Sequence, residues 1–318
     1  MPHFRKEKVM NDIKICVLGG DTRQLALAYH LSLRGYETAV WGLPSAKDSD
    51  TVSAYCANFS GVRCADPESA VSGCRAVILP LPATADGVRI NCVPPEKSGA
   101  AVSLELRLTR LMEIVPKDAL LLAGKPGDVL RNMARDNNIR LIDYYDSEEV
   151  QIKNAVPTAE GAVAIAMREL PITLFGSNCT VLGYGRIGKR LAHVLTGLGA
   201  RVSVIARSEK DLATAHISGY TSCPLAEYLA APLTADVIFN TIPVPVLTAD
   251  VLKKLPPALP IIELASAPGC MDARTQKQCT QKLLRAPSLP GKVTPCTAGR
   301  ILFESIDKIL RQEGGISP

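Results

Sequence analysis

Residues 178–208, NCTVLGYGRIGKRLAHVLTGLGARVSVIARS, constrain the fold of this chain more than any other stretch. An apolar run from Thr180 to Leu182 leads into Gly183, Gly185 and Gly188 at G-x-G-x-x-G spacing. Helical periodicity follows from Lys189 to Leu198. Gly199 then ends the helix, and a second β-branched run covers Val202 to Ile205. Glycines at this spacing carry meaning only between a strand and a helix, and here they have that context. The first allows a tight turn, the second lets backbone approach a pyrophosphate, and the third lets helix and strand pack closely. The helix N-terminus adds N–H donors and a positive dipole end. The stretch predicts a parallel β-α-β unit that binds a dinucleotide through Gly183, Tyr184, Gly185, Arg186, Ile187 and Gly188.

A chain of 318 residues has room for roughly two domains. The first half alternates strands with helices. Ile13 to Leu18 reads as a strand, Thr22 to Arg34 as a helix and Thr38 to Trp41 as a strand. The turn between the first two is Gly19-Gly20-Asp21. Asp21 would repel a phosphate, whereas the neighbouring Arg23 and Gln24 suit a carboxylate. Ser45 to Gly61 reads as a loop with one short helix. Ala76 to Leu81 is an apolar strand stopped by Pro80 and Pro82. A helix over Leu104 to Met112, a strand over Ala119 to Ala123, a helix over Gly127 to Asn137 and a strand over Ile139 to Ile142 complete the pattern. Such alternation predicts a parallel sheet with helices on both faces.

Asp143 to Pro157 reads as a polar joint, and Thr158 to Leu170 as a hinge helix with Ala162, Ile165, Ala166 and Leu170 on one face. After the glycine unit come helices at Leu212 to Ile217 and Leu225 to Leu229. Strands follow at Val237 to Thr241, Ile261 to Leu264 and Leu283 to Ala286. Pro287 to Pro295 reads as an irregular loop, and Thr297 to Arg311 as a final helix. The expected fold class is therefore α/β: two doubly wound, Rossmann-like domains joined by a hinge helix, with the last helix returning to the first domain. The boundaries fall at 1–156, 157–297 and 298–318.

Three constellations carry chemistry. Asn240-Thr241-Ile242-Pro243 and Leu264-Ala265-Ser266 end successive strands behind the glycine motif, so Asn240, Thr241, Ile242, Pro243, Ala265 and Ser266 are candidates to orient a ribose and nicotinamide. Glu160 is placed in the first turn of the hinge helix. There it serves either the helix dipole or substrate orientation and proton transfer. Lys292 and Thr297 lie in a Pro/Gly-rich loop that either lines a cleft or is a rigid crossover. The strand ending at Ile205 has no acidic residue at its tip but Ala206-Arg207-Ser208, with Glu209 at the next helix start. An Arg there matches a 2′-phosphate in charge and fork geometry, so Arg207 and Ser208 predict NADP, with NAD as the alternative.

Composition excludes several classes. With 47% hydrophobic and 21% charged residues the chain is not disordered, and a net charge of +5 scattered along it supports no nucleic-acid surface. The ten cysteines include no C-x-x-C pair, and with four histidines there is no metal-ligand spacing, so reduced thiols in a cytoplasmic protein are expected. The polar leader, residues 1–11, has no apolar core of a signal peptide, and no apolar run reaches membrane-spanning length.

Seven segments together resemble the dipicolinate synthase A-chain family of endospore-forming bacteria. They are VLGGDTRQ (17–24), AVPTAEGAV (155–163), VLGYGRIG (181–188), ARS (206–208), NTIP (240–243), LASAPGCMD (264–272) and APSLPGKVTPCTAG (286–299). The chain departs from the family's PGG and APGLPG at Cys270 and Ser288, and has Cys296 where the family has lysine. The resemblance implies oxidation of dihydrodipicolinate to dipicolinate with hydride transfer to a nicotinamide cofactor, a flavoprotein-like B subunit, self-association, and a place in the mother-cell cytoplasm during sporulation. It also implies a dicarboxylate substrate, and the GGDTRQ turn at a strand end places that substrate between the domains, with Arg23 holding one carboxylate. Two other classes fit the same layout. One is a D-2-hydroxyacid- or alanine-dehydrogenase-like oxidoreductase, although no histidine is placed for the hydroxyacid chemistry. The other is a non-catalytic nucleotide-binding subunit.

Overall fold

The computed structural model describes residues 14–44, 50–92, 105–313 and 315–316. The polar leader, residues 45–49 of the loop and Leu104 lie outside the described residues. The chain divides into two units, residues 1–150 with 295–318, and residues 151–294.

In the first unit, β1 (Lys14–Leu18), α1 (Thr22–Arg34), β2 (Glu37–Trp41), α2 (Asp50–Tyr55), β3 (Val62–Arg63), α3 (Pro67–Val71) and β4 (Ala76–Ile78) follow in order. Then come α4 (Leu108–Ile114), β5 (Leu120–Ala123), α5 (Gly127–Asp136) and β6 (Leu141–Asp143). The sheet is parallel throughout, in the order β3-β2-β1-β4-β5-β6. Its central strands are buried on both faces, as helix-covered parallel strands must be, which explains why KICVL, AVI and LLLA read as continuous apolar runs.

The second unit takes in most of α6 (Glu148–Glu169), then β7 (Asn178–Leu182), α7 (Arg186–Gly197), β8 (Arg201–Ala206), α8 (Glu209–Ile217), β9 (Thr221–Pro224), α9 (Leu225–Ala230) and β10 (Val237–Asn240). It closes with α10 (Ala249–Leu252), β11 (Pro260–Glu263), α11 (Ala273–Gln278), β12 (Lys282–Arg285) and α12 (Leu289–Val293). Its sheet runs β12-β11-β10-β7-β8-β9, again all parallel. The two sheets share one topology, so the expectation of two doubly wound domains holds. Phe239, Ile262, Val181 and Val204 form the centre of its core. Fully burying side chains of this size contributes about 1.5–3 kcal/mol each.

The last helix, α13 (Pro295–Glu313), belongs to the first unit and packs on α1. Leu302, Ile306 and Leu310 join its core, the Tyr36 hydroxyl donates to Asp307 at 2.9 Å, and the Ser305 hydroxyl donates to the Tyr144 carbonyl at 3.0 Å.

Three expectations need correction. The helix expected from Thr158 begins at Glu148 and runs through Pro157. A proline inside a helix removes one i→i−4 bond, but Ala155, Ala159, Ala162 and Ala166 are buried along one face, and that packing carries the helix past it. Glu160 therefore lies in the middle of α6 rather than in its first turn. The loop at 287–295 contains α12, preceded by Ser288 in a left-handed conformation (φ 57°, ψ 33°).

Candidate functional site: a strand-end cleft in the second unit

In a doubly wound sheet the ligand crevice lies outside the carboxyl ends of the strands, where the winding order reverses. In the second unit that reversal falls between β7 and β10. A cleft of about 720 Å³ opens there, lined by Gly183, Tyr184, Gly185, Arg186 and Ile187 from the first turn, Ala206, Arg207, Ser208 and Asp211 from the end of β8 onward, and Thr241, Ile242 and Pro243 beyond β10.

The glycine turn explains the shape of this wall. Gly183 sits at φ +94°, and a Cβ on it would strike the Thr241 hydroxyl. A Cβ on Gly188 would strike the Gly183 carbonyl, so the third glycine serves helix–strand contact and does not face the cleft. The N-cap of α7 is Gly185, which has no side chain to bond the first turn of that helix. The Thr241 hydroxyl and its backbone N–H both bond the Leu182 carbonyl at 2.9 Å, tying the β10 tip to the β7 tip. A dinucleotide fits these residues: bare backbone at a glycine turn, the start of a twelve-residue helix with glycine as its N-cap, and a cation at the neighbouring strand tip.

At the β8 tip Arg207 and Ser208 are exposed. The Ser208 hydroxyl accepts from the Asp211 N–H at 3.4 Å, so it caps α8, and Glu209 opens that helix. Asp211 was not anticipated; it brings a carboxylate to the cleft wall, 3.8 Å from the Lys189 ammonium. Tyr184 is buried, with Tyr220 edge-on at 6.2 Å and Lys189 over its ring.

The remaining candidates lie outside this wall. Asn240 is fully buried. Its amide nitrogen donates to the Ile242 carbonyl at 2.9 Å and to Glu263 at 2.7 Å, and its oxygen accepts from the Ile242 N–H at 3.1 Å. Its side chain is therefore spent on the protein. Ala265 is half-buried and Ser266 exposed in the loop after β11. Glu263, missed in the sequence, accepts from Asn240, from the Ala265 N–H at 2.9 Å and from the Cys270 N–H at 2.7 Å. The signal was present: a glutamate inside the apolar run PIIEL needs partners if the strand is buried. Burial, then the Glu263 charge, push the Cys270 thiol well up. Glu160 is exposed on α6. Lys292 lies on α12 and Thr297 on α13, in different units.

In the first unit Arg23 is 6% exposed. Its Nε and Nη2 fork onto Asp21 at 2.7–3.0 Å, and Nη2 also donates to the Leu81 carbonyl at 2.7 Å. The carboxylate it meets is thus Asp21, which also caps α1 in a capping box with Gln24. Cys296 is half-buried on α13, and all ten cysteines are free thiols. Among the described residues, no helix is long and apolar enough to cross a membrane.

Fold and cleft define a two-unit chain of the nicotinamide-dinucleotide-dependent dehydrogenase kind. Residues 150–268 match the model of the D-isomer specific 2-hydroxyacid dehydrogenase NAD binding domain, and residues 14–145 match that of the N-terminal domain of the dipicolinate synthase A chain. The dipicolinate synthase A chain of Bacillus subtilis (strain 168) is 30% identical over 305 residues, covering 96% of this chain and 98% of that protein. The crystal structure of the B. subtilis protein superposes with a TM-score of 0.78 at 30% identity, over 95% of this chain and 96% of that one. Its counterpart from Bacillus halodurans gives a TM-score of 0.79 at 28% identity, over 95% and 99%. The chain belongs to the dipicolinate synthase A-chain family.

Proposed function

We propose that this chain oxidises dihydrodipicolinate to dipicolinate with NADP⁺ as hydride acceptor, acting with a flavoprotein-like B subunit in the mother cell of a sporulating bacterium and self-associating. The observation that carries this reading is a full-length family match combined with a glycine-turn cleft whose β8 tip ends in Arg207 and Ser208. In this reading Gly183 to Ile187 receive the pyrophosphate, Arg207 and Ser208 the 2′-phosphate, and Thr241 to Pro243 the ribose–nicotinamide half. The nicotinamide, when bound, supplies the hydride acceptor.

The chain's own residues orient the ring and complement its charge. One C–H bond of the dihydropyridine ring leaves with its electron pair as hydride, a second ring proton passes to a base, and the ring becomes aromatic. Glu160 is the candidate base. Arg23 is the candidate partner for a substrate carboxylate, on condition that it exchanges Asp21 for it.

A 2-hydroxyacid reading draws on the match over residues 150–268. However, His193 and His216 sit on exposed faces of α7 and α8, and neither lines the cleft. The test is incubation of the purified chain, by itself and with its B subunit, with NADP⁺ and freshly generated dihydrodipicolinate. Dipicolinate absorbance rising with reduced-cofactor absorbance supports the proposal. Cofactor binding without turnover in either mixture leaves a nucleotide-binding subunit instead.

A further inference from the structure

One buried carboxylate has no part in the chemistry above. Glu263 ends β11 and is 4% exposed. Among the described residues no lysine or arginine pairs with it; three N–H donors surround its two oxygens instead. Oε1 accepts from the Asn240 amide at 2.7 Å and from the Ala265 N–H at 2.9 Å, and Oε2 accepts from the Cys270 N–H at 2.7 Å. A carboxylate is an acceptor-only group, and here every one of these contacts is a donor.

The partners show what the group controls. Asn240 is the last residue of β10, and its amide closes onto the N–H and the carbonyl of Ile242, two residues on. Ile242 forms part of the cleft wall. Glu263 supplies the second acceptor for the Asn240 amide, so it fixes which way that amide faces and, through it, the path of Thr241 to Pro243. The Ala265 and Cys270 bonds hold both ends of the loop after β11 to the same carboxylate. One side chain thus fixes the tips of two adjacent strands, and none of these contacts reaches the β8 tip.

We infer that Glu263 is the positioning residue for one half of the cleft, setting the β10 and β11 tips to receive the ribose–nicotinamide portion of a dinucleotide while leaving the adenine end untouched. This rests on reading the cleft as a nicotinamide-dinucleotide site. A glutamine at 263 keeps the volume but offers one acceptor oxygen, and its NH₂ turns a donor toward another donor. The tips then lose their common anchor, while Gly183 to Ile187, Arg207 and Ser208 keep their places.

The experiment compares a whole ligand with its adenine half. Wild type, Glu263→Gln and Asn240→Ala, as the full-length chain, are titrated with NADPH, followed by nicotinamide fluorescence, and with adenosine 2′,5′-bisphosphate, followed by calorimetry. The expected result is NADPH weakened about ten- to a hundredfold in both variants, the loss of a charged hydrogen bond, with the bisphosphate unchanged. Equal weakening of both ligands means a general structural role and overturns the inference, as does an unchanged NADPH affinity. Should Glu263→Gln not fold, Asn240→Ala decides, because it cuts the tie to Ile242 and leaves the carboxylate with its two backbone donors. Wild type that binds neither ligand, and neither NADH nor AMP, overturns the reading of the cleft itself.

Discussion

Arg23 and Asp21, two residues apart where α1 starts after β1, form a forked ion pair in which Nη2 lies 2.7 Å from the Asp21 carboxylate and also bonds the Leu81 carbonyl beyond β4. The pair bridges the two strands where the first sheet reverses its winding, the place where the chain would meet a ligand. A cation at such a place serves a substrate only if it can exchange partners.

Neutralising Asp21 weakens the competing carboxylate, so Asp21→Asn is expected to lower KM for dihydrodipicolinate. Arg23→Ala is expected to raise KM about ten- to a hundredfold, the loss of a charged hydrogen bond worth about 1.5–3 kcal/mol. It should also lower Tm, because Asp21 and the Leu81 carbonyl both lose a donor. KM unchanged in both variants, with folding intact, removes Arg23 from substrate binding.

The parallel sheets were legible because buried parallel strands are apolar throughout and because the glycine turn fixes one β-α-β unit outright. What escaped was short or polar. β3 and β9 are edge strands of two and four residues with no buried run, and their apolar content resembles that of loops. α3 and α11 announce themselves only by N-caps: Asp66 ahead of Pro67, and Asp272, whose carboxylate accepts from the Thr275 N–H. The walls of the cleft near the glycine turn follow from local spacing, so they were readable. The Glu263–Asn240 bond joins residues 23 positions apart, and only the sheet register that pairs them reveals it.

Ser288, with φ 57° and ψ 33°, occupies a left-handed conformation that favours glycine. A left-handed residue with a Cβ costs about 1–2 kcal/mol, whereas the added chain freedom of glycine costs about 0.5–1 kcal/mol. Relief of strain outweighs entropy, so Ser288→Gly is expected to stabilise by about 0.5–1 kcal/mol, a rise in Tm of about 1–4 °C by calorimetry. Ser288→Ala, which keeps the Cβ, should give no gain. A Tm that falls in the glycine variant contradicts the strain argument.

His30 should make stability fall with acid. It packs against Phe303, 5.5 Å away and stacked, and its Nε2 lies 3.0 Å from the Tyr55 hydroxyl. Burial chiefly, and then the Arg300 charge, hold its pKa below the usual 6.5, with Glu304 opposing them. The unfolded chain therefore takes up the proton first. The stability His30 contributes is complete above pH 6.5 and is lost as pH falls from there through the folded value. Tm measured from about pH 7.5 to about pH 5 should decline less steeply in His30→Gln than in wild type. Parallel profiles would show that the ring contributes nothing to the slope.

The proposed preference for NADP⁺ rests on the β8 tip, where two opposed charges line the cleft. Arg207 offers a fork to a 2′-phosphate, and Asp211, in the first turn of α8, brings a carboxylate to the same wall. Ser208 already accepts from the Asp211 N–H, but its own hydroxyl proton remains able to donate. If Arg207 dominates, wild type prefers NADP⁺, and Arg207→Ala weakens NADP⁺ about ten- to a hundredfold while leaving NAD⁺ nearly unchanged, the loss expected for one charged contact. Asp211→Asn removes repulsion and should tighten NADP⁺ with little effect on NAD⁺. Affinities of both cofactors for the three proteins, measured at one ionic strength because exposed charges are screened by salt, settle the matter. A wild type that prefers NAD⁺, or an Arg207→Ala protein that loses both cofactors equally, would place the specificity elsewhere than at this strand tip.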